Sequence, residues 1–294
     1  MTVRKPITKE LEKAFDSNTS LGESSKRIYT SVYKRFLNLS DYTKFTDLSE
    51  ENIIKIITDD SIPPKSRESL LDVAILVRKY NNASFQKLVN HRDSLKQIIQ
   101  KNKLVKNEKL KGELPDKSVL ELYIKTLYNE KNYVPYIVNY LLLNFGVRNL
   151  DLNLLITRDK NVSLIGFQSS INYLYVTSST VMYIRNNYKT YRTYGQKKIK
   201  ITTKNFVKAC NELLGGEFDK PLLTLKNGDE ISEDSIGRVI QEMTYDKLGE
   251  GKYFKINIVD AKADNNIKKI RELSNNRGTA LETVFSEYDI DNKN

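Results

Sequence analysis

Two segments, far apart in sequence, carry side chains that could take part in phosphate chemistry. GVRNLDL at 146–152 contains Arg148, whose guanidinium has a fork of donors that could clamp two non-bridging oxygens of a phosphate. In IRELSNNRGTALETVFSEY, a helix pattern stops at Gly278, and Tyr288 follows nine residues after Thr279. Taken alone, Arg148 could be a surface arginine after a helix, and Tyr288 could be a packing tyrosine on a terminal helix.

Together the two segments resemble the catalytic domain of tyrosine recombinases, the phage-integrase family of DNA strand-exchange enzymes. The order Gly146, Arg148, Asp151, Leu152 is similar to the G-x-R-x-x-E-L signature of that family, with aspartate in place of glutamate. The resemblance implies that the Tyr288 hydroxyl attacks a DNA phosphodiester, forms a 3′-phosphotyrosyl link and frees a 5′-hydroxyl. Such chemistry needs cations around the phosphate, and it implies no metal and no cofactor.

A basic hairpin is predicted upstream, in NNYKTYRTYGQKKIKI. The resemblance implies that Lys189, just before the turn, enters the minor groove and protonates the leaving 5′-oxygen. The other cations of the hairpin are predicted DNA contacts: Arg192, Lys197, Lys198 and Lys200. The alternative is that all five cations, Lys189 included, only contact backbone phosphate.

Two further boxes of the family are altered in this chain. Counting back from Gly278, Lys252 and Lys255 take the positions of the histidine and arginine in H-x-x-R, so the resemblance implies that both contact the phosphate. Thr279 takes the place of a second histidine and could donate one hydrogen bond. Arg277, at the helix end, is expected to face backbone phosphate or solvent. The alternative for the two lysines is a solvated pair on a loop.

Two functions remain open on these residues. In the first, the protein is a tyrosine recombinase or integrase that breaks and rejoins DNA through a 3′-phosphotyrosyl intermediate. In the second, a degenerate recombinase-fold protein binds double-stranded or branched DNA without cleaving it, in a structural, packaging, junction-binding or regulatory role. Arg148 and Tyr288 favour the first function, and the altered boxes favour the second. We favour the enzyme, because lysine still neutralises phosphate.

The composition agrees with a nucleic-acid partner. The 294 residues include 48 Lys+Arg and 37 Asp+Glu, a net charge of +11 at pH 7, so phosphate is a favourable partner and binding should weaken with salt. The alternative is an unrelated basic helical protein from an A/T-rich genome, since Lys, Asn, Ile and Tyr are plentiful. The same composition, with the altered boxes, indicates a viral or mobile-element source.

The sequence also sets expectations about compartment and assembly. No apolar run approaches the roughly 20 residues of a transmembrane helix, and the N-terminus MTVRKPITKELEK is polar, so we expect a soluble intracellular protein without a membrane partner. Cys210 is predicted to pack on the apolar face of a helix. Six residues follow Tyr288, without the tail through which many members of the family build a ring of four. A homo-oligomer on DNA, a dimer and a monomer all stay open.

The elements that position these residues predict a mainly α protein with a small antiparallel β-sheet, in the two-domain arrangement of tyrosine recombinases. A helical core-binding domain is expected at 1–105 and the catalytic domain at 106–294, with an extended lysine-rich connector at Lys101–Lys117. Helices of the first domain are predicted within 24–42 and at Glu50–Ile57, Pro64–Tyr80 and Ser84–Ile99.

The second domain mixes helix and strand patterns. Its predicted helices are Lys117–Glu130, Val134–Phe145, Thr203–Leu214, Ser232–Leu248, Val259–Asp264 and Ile267–Asn275. Its predicted strands are Lys160–Ile165, Tyr173–Thr177, Val181–Asn187 and Lys197–Ile201. Gly146 is expected to end a helix, and Gly195 to adopt a positive φ in the turn before the last strand.

Overall fold

The computed structural model describes residues 8–164, 171–225, 227–229 and 231–290. Within them the chain is mainly helical with one five-stranded sheet, which confirms the predicted fold class. The chain divides into two compact units, Met1–Lys106 and Asn107–Asn294. Each unit has its own hydrophobic core.

The N-terminal unit is helical because its apolar residues recur at helical spacing and cover one another. Its helices are α1 Lys9–Ser17, α2 Glu23–Leu39, α3 Glu50–Ile57, α4 Pro64–Tyr80 and most of α5 Gln86–Glu113. The Ser49 hydroxyl accepts the Asn52 N–H and so caps α3. Pro64 supplies the first residue of α4, where its fixed φ fits the helix. At the centre of the core, Phe36 and Phe45 stack with ring centroids 3.7 Å apart.

The connector predicted at Lys101–Lys117 is not extended. Helix α5 continues through it to Glu113, because lysine, leucine and glutamate are good helix formers. Pro115 then prevents the helix from continuing, since the residue before a proline avoids helical φ and ψ angles. A polar, lysine-rich composition thus indicated a linker where the chain forms a charged helix.

The C-terminal unit surrounds its sheet with helices. The helices are α6 Lys117–Asn129, α7 Tyr133–Phe145, α8 Asn161–Leu164, α9 Tyr191–Tyr194, α10 Lys204–Leu214, α11 Glu233–Met243, α12 Glu250–Ala263, α13 Ile267–Arg277 and α14 Leu281–Thr283. The strands are β1 Leu154–Thr157, β2 Asn172–Val176, β3 Val181–Arg185, β4 Lys197–Ile201 and β5 Asp219–Pro221. Two 3₁₀ helices, Asn149–Leu152 and Tyr245–Lys247, and a π-helical segment, Val284–Tyr288, complete the unit.

The sheet has the strand order β4-β3-β2-β1-β5. Its pairs are antiparallel except β1–β2, which run parallel, so the predicted antiparallel sheet is wrong at that pair. Strands β1 and β5 were not predicted. The predicted strand Lys160–Ile165 is wrong where the structure describes it: the Asp159 carboxylate accepts the Asn161 N–H at 2.9 Å and starts α8. Ile165 lies outside the described residues.

Two helix boundaries near the C-terminus also differ from the prediction. The predicted helix Ser232–Leu248 ends at Met243, because Thr244 adopts extended angles, with a φ of −94° and a ψ of 158°. Asp246, with a φ of 45°, also interrupts the predicted helix. Helix α12 begins at Glu250, nine residues before the predicted start at Val259. This longer α12 brings its first two turns against the segment that follows α7.

Candidate active site

Arg148 lies directly after the tight turn that ends α7. Gly146 makes this turn with a φ of 60°, and a Cβ there would come within 2.6 Å of the Phe254 ring. The Arg148 N–H then donates to Asp151 Oδ2 at 2.8 Å, which holds the start of the 3₁₀ helix. These contacts fix the direction in which the Arg148 side chain leaves the backbone.

The Arg148 guanidinium reaches the end of α13. Nη1 donates to the Arg277 carbonyl oxygen at 2.6 Å, and Nη2 donates to Thr279 Oγ1 at 2.9 Å. Burial and the neighbouring Arg277 charge lower the pKa of Arg148 below its ordinary value. The structure therefore brings together Arg148 and Thr279, two predicted site residues separated by more than a hundred positions in sequence.

Arg277 is in the interior, which corrects its predicted place at the DNA-facing surface. It is 1% exposed, and Nη1 donates to the Gly146 carbonyl oxygen at 2.9 Å. Nη2 donates to Glu250 Oε1 at 2.8 Å and to the Tyr288 hydroxyl oxygen at 3.4 Å. A guanidinium this deeply buried needs such acceptors to offset its lost hydration. Arg277 thus lies in the same cluster as Arg148 and Tyr288.

Tyr288 ends the π-helical segment and is half-buried. Its ring packs edge-on against Phe254, with centroids 4.8 Å apart at 85°. The Arg277 guanidinium carbon lies 4.5 Å from the Phe254 centroid and 5.0 Å from the Tyr288 centroid. A buried cation against both rings holds the phenol beside a fixed positive charge.

Glu250, the first residue of α12, was not predicted as a site residue. Its Oε1 accepts from Arg277, and its Oε2 accepts the backbone N–H of Asn149, next to Arg148. A carboxylate at the first turn of a helix is stabilised by the helix dipole. The glutamate in GEGKYF would have indicated a residue at the first turn of a helix if the start of α12 had been predicted correctly.

A fully buried ion pair supports the same cluster from the sheet. Arg185 ends β3, and its Nη2 donates to Asp151 Oδ2, while Nη1 donates to the Asn276 carbonyl oxygen on α13. Burial raises the pKa of Asp151, and the Arg185 charge opposes that rise. The pair therefore ties the Arg148 segment, the sheet and α13 together. Removing one partner of such a pair typically costs about 3–5 kcal/mol.

Lys197, predicted as a DNA contact, lies close to this cluster. It pairs with Arg185 in the β3–β4 register and is half-buried. Burial lowers the pKa of Lys197 to about 8, and the charges of Arg185 and Arg148 contribute to the decrease. Lys189, the predicted catalytic lysine, is exposed on the segment between β3 and β4. Successive side chains of β4 point to opposite faces of the sheet, and this alternation places Lys197 on the side of the cluster. A position just before the turn, as at Lys189, does not.

The remaining hairpin cations are exposed. Lys198 and Lys200 alternate with Lys197 along β4 and are exposed on the opposite face. Arg192 is exposed on α9. These three side chains are therefore accessible to a charged partner.

Lys252 and Lys255 are not brought to the cluster. Glu250 and Phe254, four positions apart, share the face of α12 that meets Arg277. Lys252 is exposed, about 200° around the helix from Glu250 at 3.6 residues per turn. Lys255 Nζ donates to Asn107 Oδ1 at 3.2 Å. No helix was predicted over residues 252–255, so the sequence prediction could not say which of them share a face of α12.

Three further observations concern metal-binding groups, membrane-spanning helices and the cysteine. The described residues hold no group of three or more His, Cys, Asp or Glu side chains placed to bind a metal ion. Among the described helices, none combines the length and the apolarity that crossing a bilayer requires. Cys210 is buried in α10, as its apolar spacing predicted, and burial raises the pKa of its thiol.

Comparisons with known proteins give one structural likeness. No protein-family model matches the chain, and no curated protein sequence matches it. Among solved structures, the chain is similar to the crystal structure of XerA recombinase, with 13% sequence identity and a TM-score of 0.38. That likeness covers 97% of this chain and 93% of the other. At so low a TM-score, function has to be inferred from the site.

Proposed function

We propose that the protein binds DNA and breaks and rejoins one strand by transferring a phosphodiester to Tyr288. The observation that carries this proposal is the position of the Tyr288 hydroxyl, 3.4 Å from Nη2 of the buried Arg277. Arg148 is fixed to the same turn through Thr279 and the Arg277 carbonyl oxygen. A phenol beside two guanidinium groups suits attack on an anionic phosphorus centre, since both cations stabilise the charge that develops.

The strand-breaking step follows from these positions. Tyr288 Oη forms a bond to phosphorus and loses its proton to solvent, while the bond from phosphorus to the 5′-oxygen breaks. Arg148 and Arg277 stabilise the non-bridging oxygens. Because Arg277 is 1% exposed, its charge acts on the phosphate through the electric field rather than by direct contact. Attack by a 5′-hydroxyl on the tyrosyl phosphodiester reverses the step and reseals a strand.

Lys197 is our candidate for the acid that protonates the leaving 5′-oxygen. It is half-buried close to Arg148 and Arg185, and its pKa of about 8 keeps much of it protonated at neutral pH while easing proton release. This assignment replaces Lys189, which is exposed outside the cluster. Lys189, Arg192, Lys198 and Lys200 then serve as contacts to backbone phosphate.

A covalent trap tests the proposal directly. The protein is incubated with nicked suicide duplexes and with branched DNA, and SDS-resistant protein–DNA adducts are counted. We expect an adduct with the wild-type protein and none with Tyr288→Phe. Tyr42→Phe, which changes a 57% exposed tyrosine of the N-terminal unit, is the matched control and should form the adduct normally. An adduct that survives Tyr288→Phe would rule out Tyr288 as the nucleophile.

One observation favours a second function, DNA binding without cleavage. Glu250 Oε1 already accepts a hydrogen bond from Nη2 of Arg277 at 2.8 Å. The Glu250 carboxylate therefore competes with a phosphate for that guanidinium. Lys252 and Lys255, which would supply further charge, are not in the cluster. Tight, salt-sensitive DNA binding without any adduct, on every substrate in the trap, would establish this second function.

A further inference from the structure

The segment between β3 and β4 presents tyrosine rings among cations. Tyr194 is 42% exposed, and Tyr191 is half-buried on the same short helix, α9. Lys189 and Arg192 are exposed beside them. An exposed aromatic ring surrounded by positive charge is the composition that binds a nucleobase together with its flanking phosphates.

This segment is fastened to the candidate active site. Thr190 Oγ1 donates to the Gly278 carbonyl oxygen at 2.8 Å, and Tyr188 OH donates to the Gly195 carbonyl oxygen at 2.6 Å. A Cβ on Gly278 would lie 2.4 Å from Thr190 Oγ1 and 3.5 Å from Cδ2 of Tyr194. The Tyr194 ring therefore lies against the turn at Gly278, between α13 and α14.

One face of the Tyr194 ring already has a partner. Lys197 Nζ lies 5.0 Å from the Tyr194 centroid and 5.7 Å from the Tyr188 centroid. Tyr194 is still 42% exposed, so part of the side chain that Lys197 does not cover is accessible to a second flat group. Since Lys197 is also the proposed acid, the ring and the scissile phosphate must be near neighbours when DNA is bound.

We propose that Tyr194 is a stacking platform for an unpaired nucleobase next to the scissile phosphate. The inference rests on the proposed DNA-binding function and specifies the DNA that the site prefers. In a continuous duplex, each base is covered on both faces by its neighbours, so a single protein ring cannot stack on it without unstacking the helix. At a gap or a branch, one base face is uncovered. The site should therefore favour gapped or branched DNA over continuous duplex.

The experiment measures stacking and affinity separately. A gapped duplex carries the fluorescent base 2-aminopurine at an unpaired position inside the gap, and a continuous duplex of the same sequence serves as reference. The full-length protein is titrated as wild type, Tyr194→Phe and Tyr194→Leu. Phe218→Leu, which alters a 59% exposed aromatic residue elsewhere in the C-terminal unit, is the matched control.

We expect wild type, Tyr194→Phe and Phe218→Leu to quench the base analogue and to prefer gapped DNA. Tyr194→Leu keeps the apolar bulk but has no π face, so quenching should disappear and the preference should fall by roughly 5- to 140-fold. Affinity for the continuous duplex should stay the same in all four proteins. Unchanged quenching and preference in Tyr194→Leu would overturn the proposal, as would a wild-type protein without any preference.

The outcome is separable from that of the proposed cleavage. Quenching that depends on Tyr194, without a Tyr288 adduct, would support stacking and would overturn the proposed strand transfer. An adduct without quenching would overturn only the proposal that Tyr194 stacks on a base. Failure of the wild-type protein to bind either DNA would overturn both proposals.

Discussion

At the scale of single residues, Lys197 is where pH should act on the proposed reaction. Its pKa is lowered to about 8 because the side chain is half-buried near two arginines. The protonated form, which the acid role requires, is therefore lost as pH rises through about 8. We expect adduct formation at subsaturating DNA, which reports groups of the free protein, to fall above this pH.

A substrate with a sulfur at the bridging 5′ position tests that assignment. A thiolate leaves without protonation, since thiols have a pKa near 8.5, so the alkaline fall should vanish with this substrate. Lys197→Ala should cleave the normal substrate poorly and the sulfur substrate nearly as well as wild type. Lys189→Ala, which removes only a proposed contact to backbone phosphate, is the matched control and should cleave both substrates at the wild-type rate once DNA is saturating. A rescue seen with Lys189→Ala instead would return the acid role to Lys189.

The residues that sequence reasoning found and missed differ in how they are positioned. Arg148 and Thr279, both predicted for the site, are hydrogen-bonded to each other, because each lies within two residues of a chain reversal at Gly146 or Gly278 that a short motif can record. Tyr288 reaches the same cluster from the π-helical segment, through Arg277. Glu250, Arg185 and Lys197 join the cluster through helix phase, strand register and burial. Those properties depend on where each element starts, and a motif does not fix that.

At the scale of elements, the same distinction explains the fold predictions. Helices α3 and α4 have the predicted bounds, because a serine cap or a proline marks the start of each and apolar spacing runs the full length. Helix α12 lacked such a mark, since Gly249 and Gly251 flank its first residue and suggest a loop. Strands β1 and β5 are short and obtain their pairing from sequence-distant partners.

Docking of the β3–β4 segment onto the end of α13 depends on Gly278. Its φ is 64°, and an added Cβ would come within 2.4 Å of Thr190 Oγ1 and 3.0 Å of Tyr188. Gly278→Ala should therefore destabilise the fold by about 1–2 kcal/mol from the backbone conformation alone. It should also displace the segment and reduce adduct formation per folded molecule. Thermal unfolding and the covalent trap measure the two effects.

Gly215→Ala is the matched control for this prediction. Gly215 also has a positive φ, 54°, but the nearest atom to an added Cβ is 4.0 Å away. The control variant should lose stability through backbone strain, while its folded molecules form adduct normally. If both variants lose adduct formation equally, docking on Gly278 does not position the site.

At the scale of the whole molecule, charge and chemistry have different locations. The net charge of +11 gives the whole chain an attraction for phosphate that salt should screen. The candidate active site lies entirely within the C-terminal unit, and there the cations are largely buried and paired with protein acceptors. When DNA binds, most of the counterions released from its phosphates should therefore be displaced by exposed lysines and arginines outside the cluster.

Helix α2 of the N-terminal unit offers the sharpest test of that separation. Arg27 and Lys34 are exposed and seven positions apart, so they share one face. If this face binds backbone phosphate, the double variant Arg27→Ala/Lys34→Ala should make the negative slope of log affinity against log salt shallower by about 1.8. The fraction of bound DNA converted to adduct should not change, because Tyr288 and its arginines are untouched. Lys13→Ala, on the exposed side of α1, is the control and should alter neither quantity. A double variant with the wild-type slope would mean that the N-terminal unit does not contact DNA through α2.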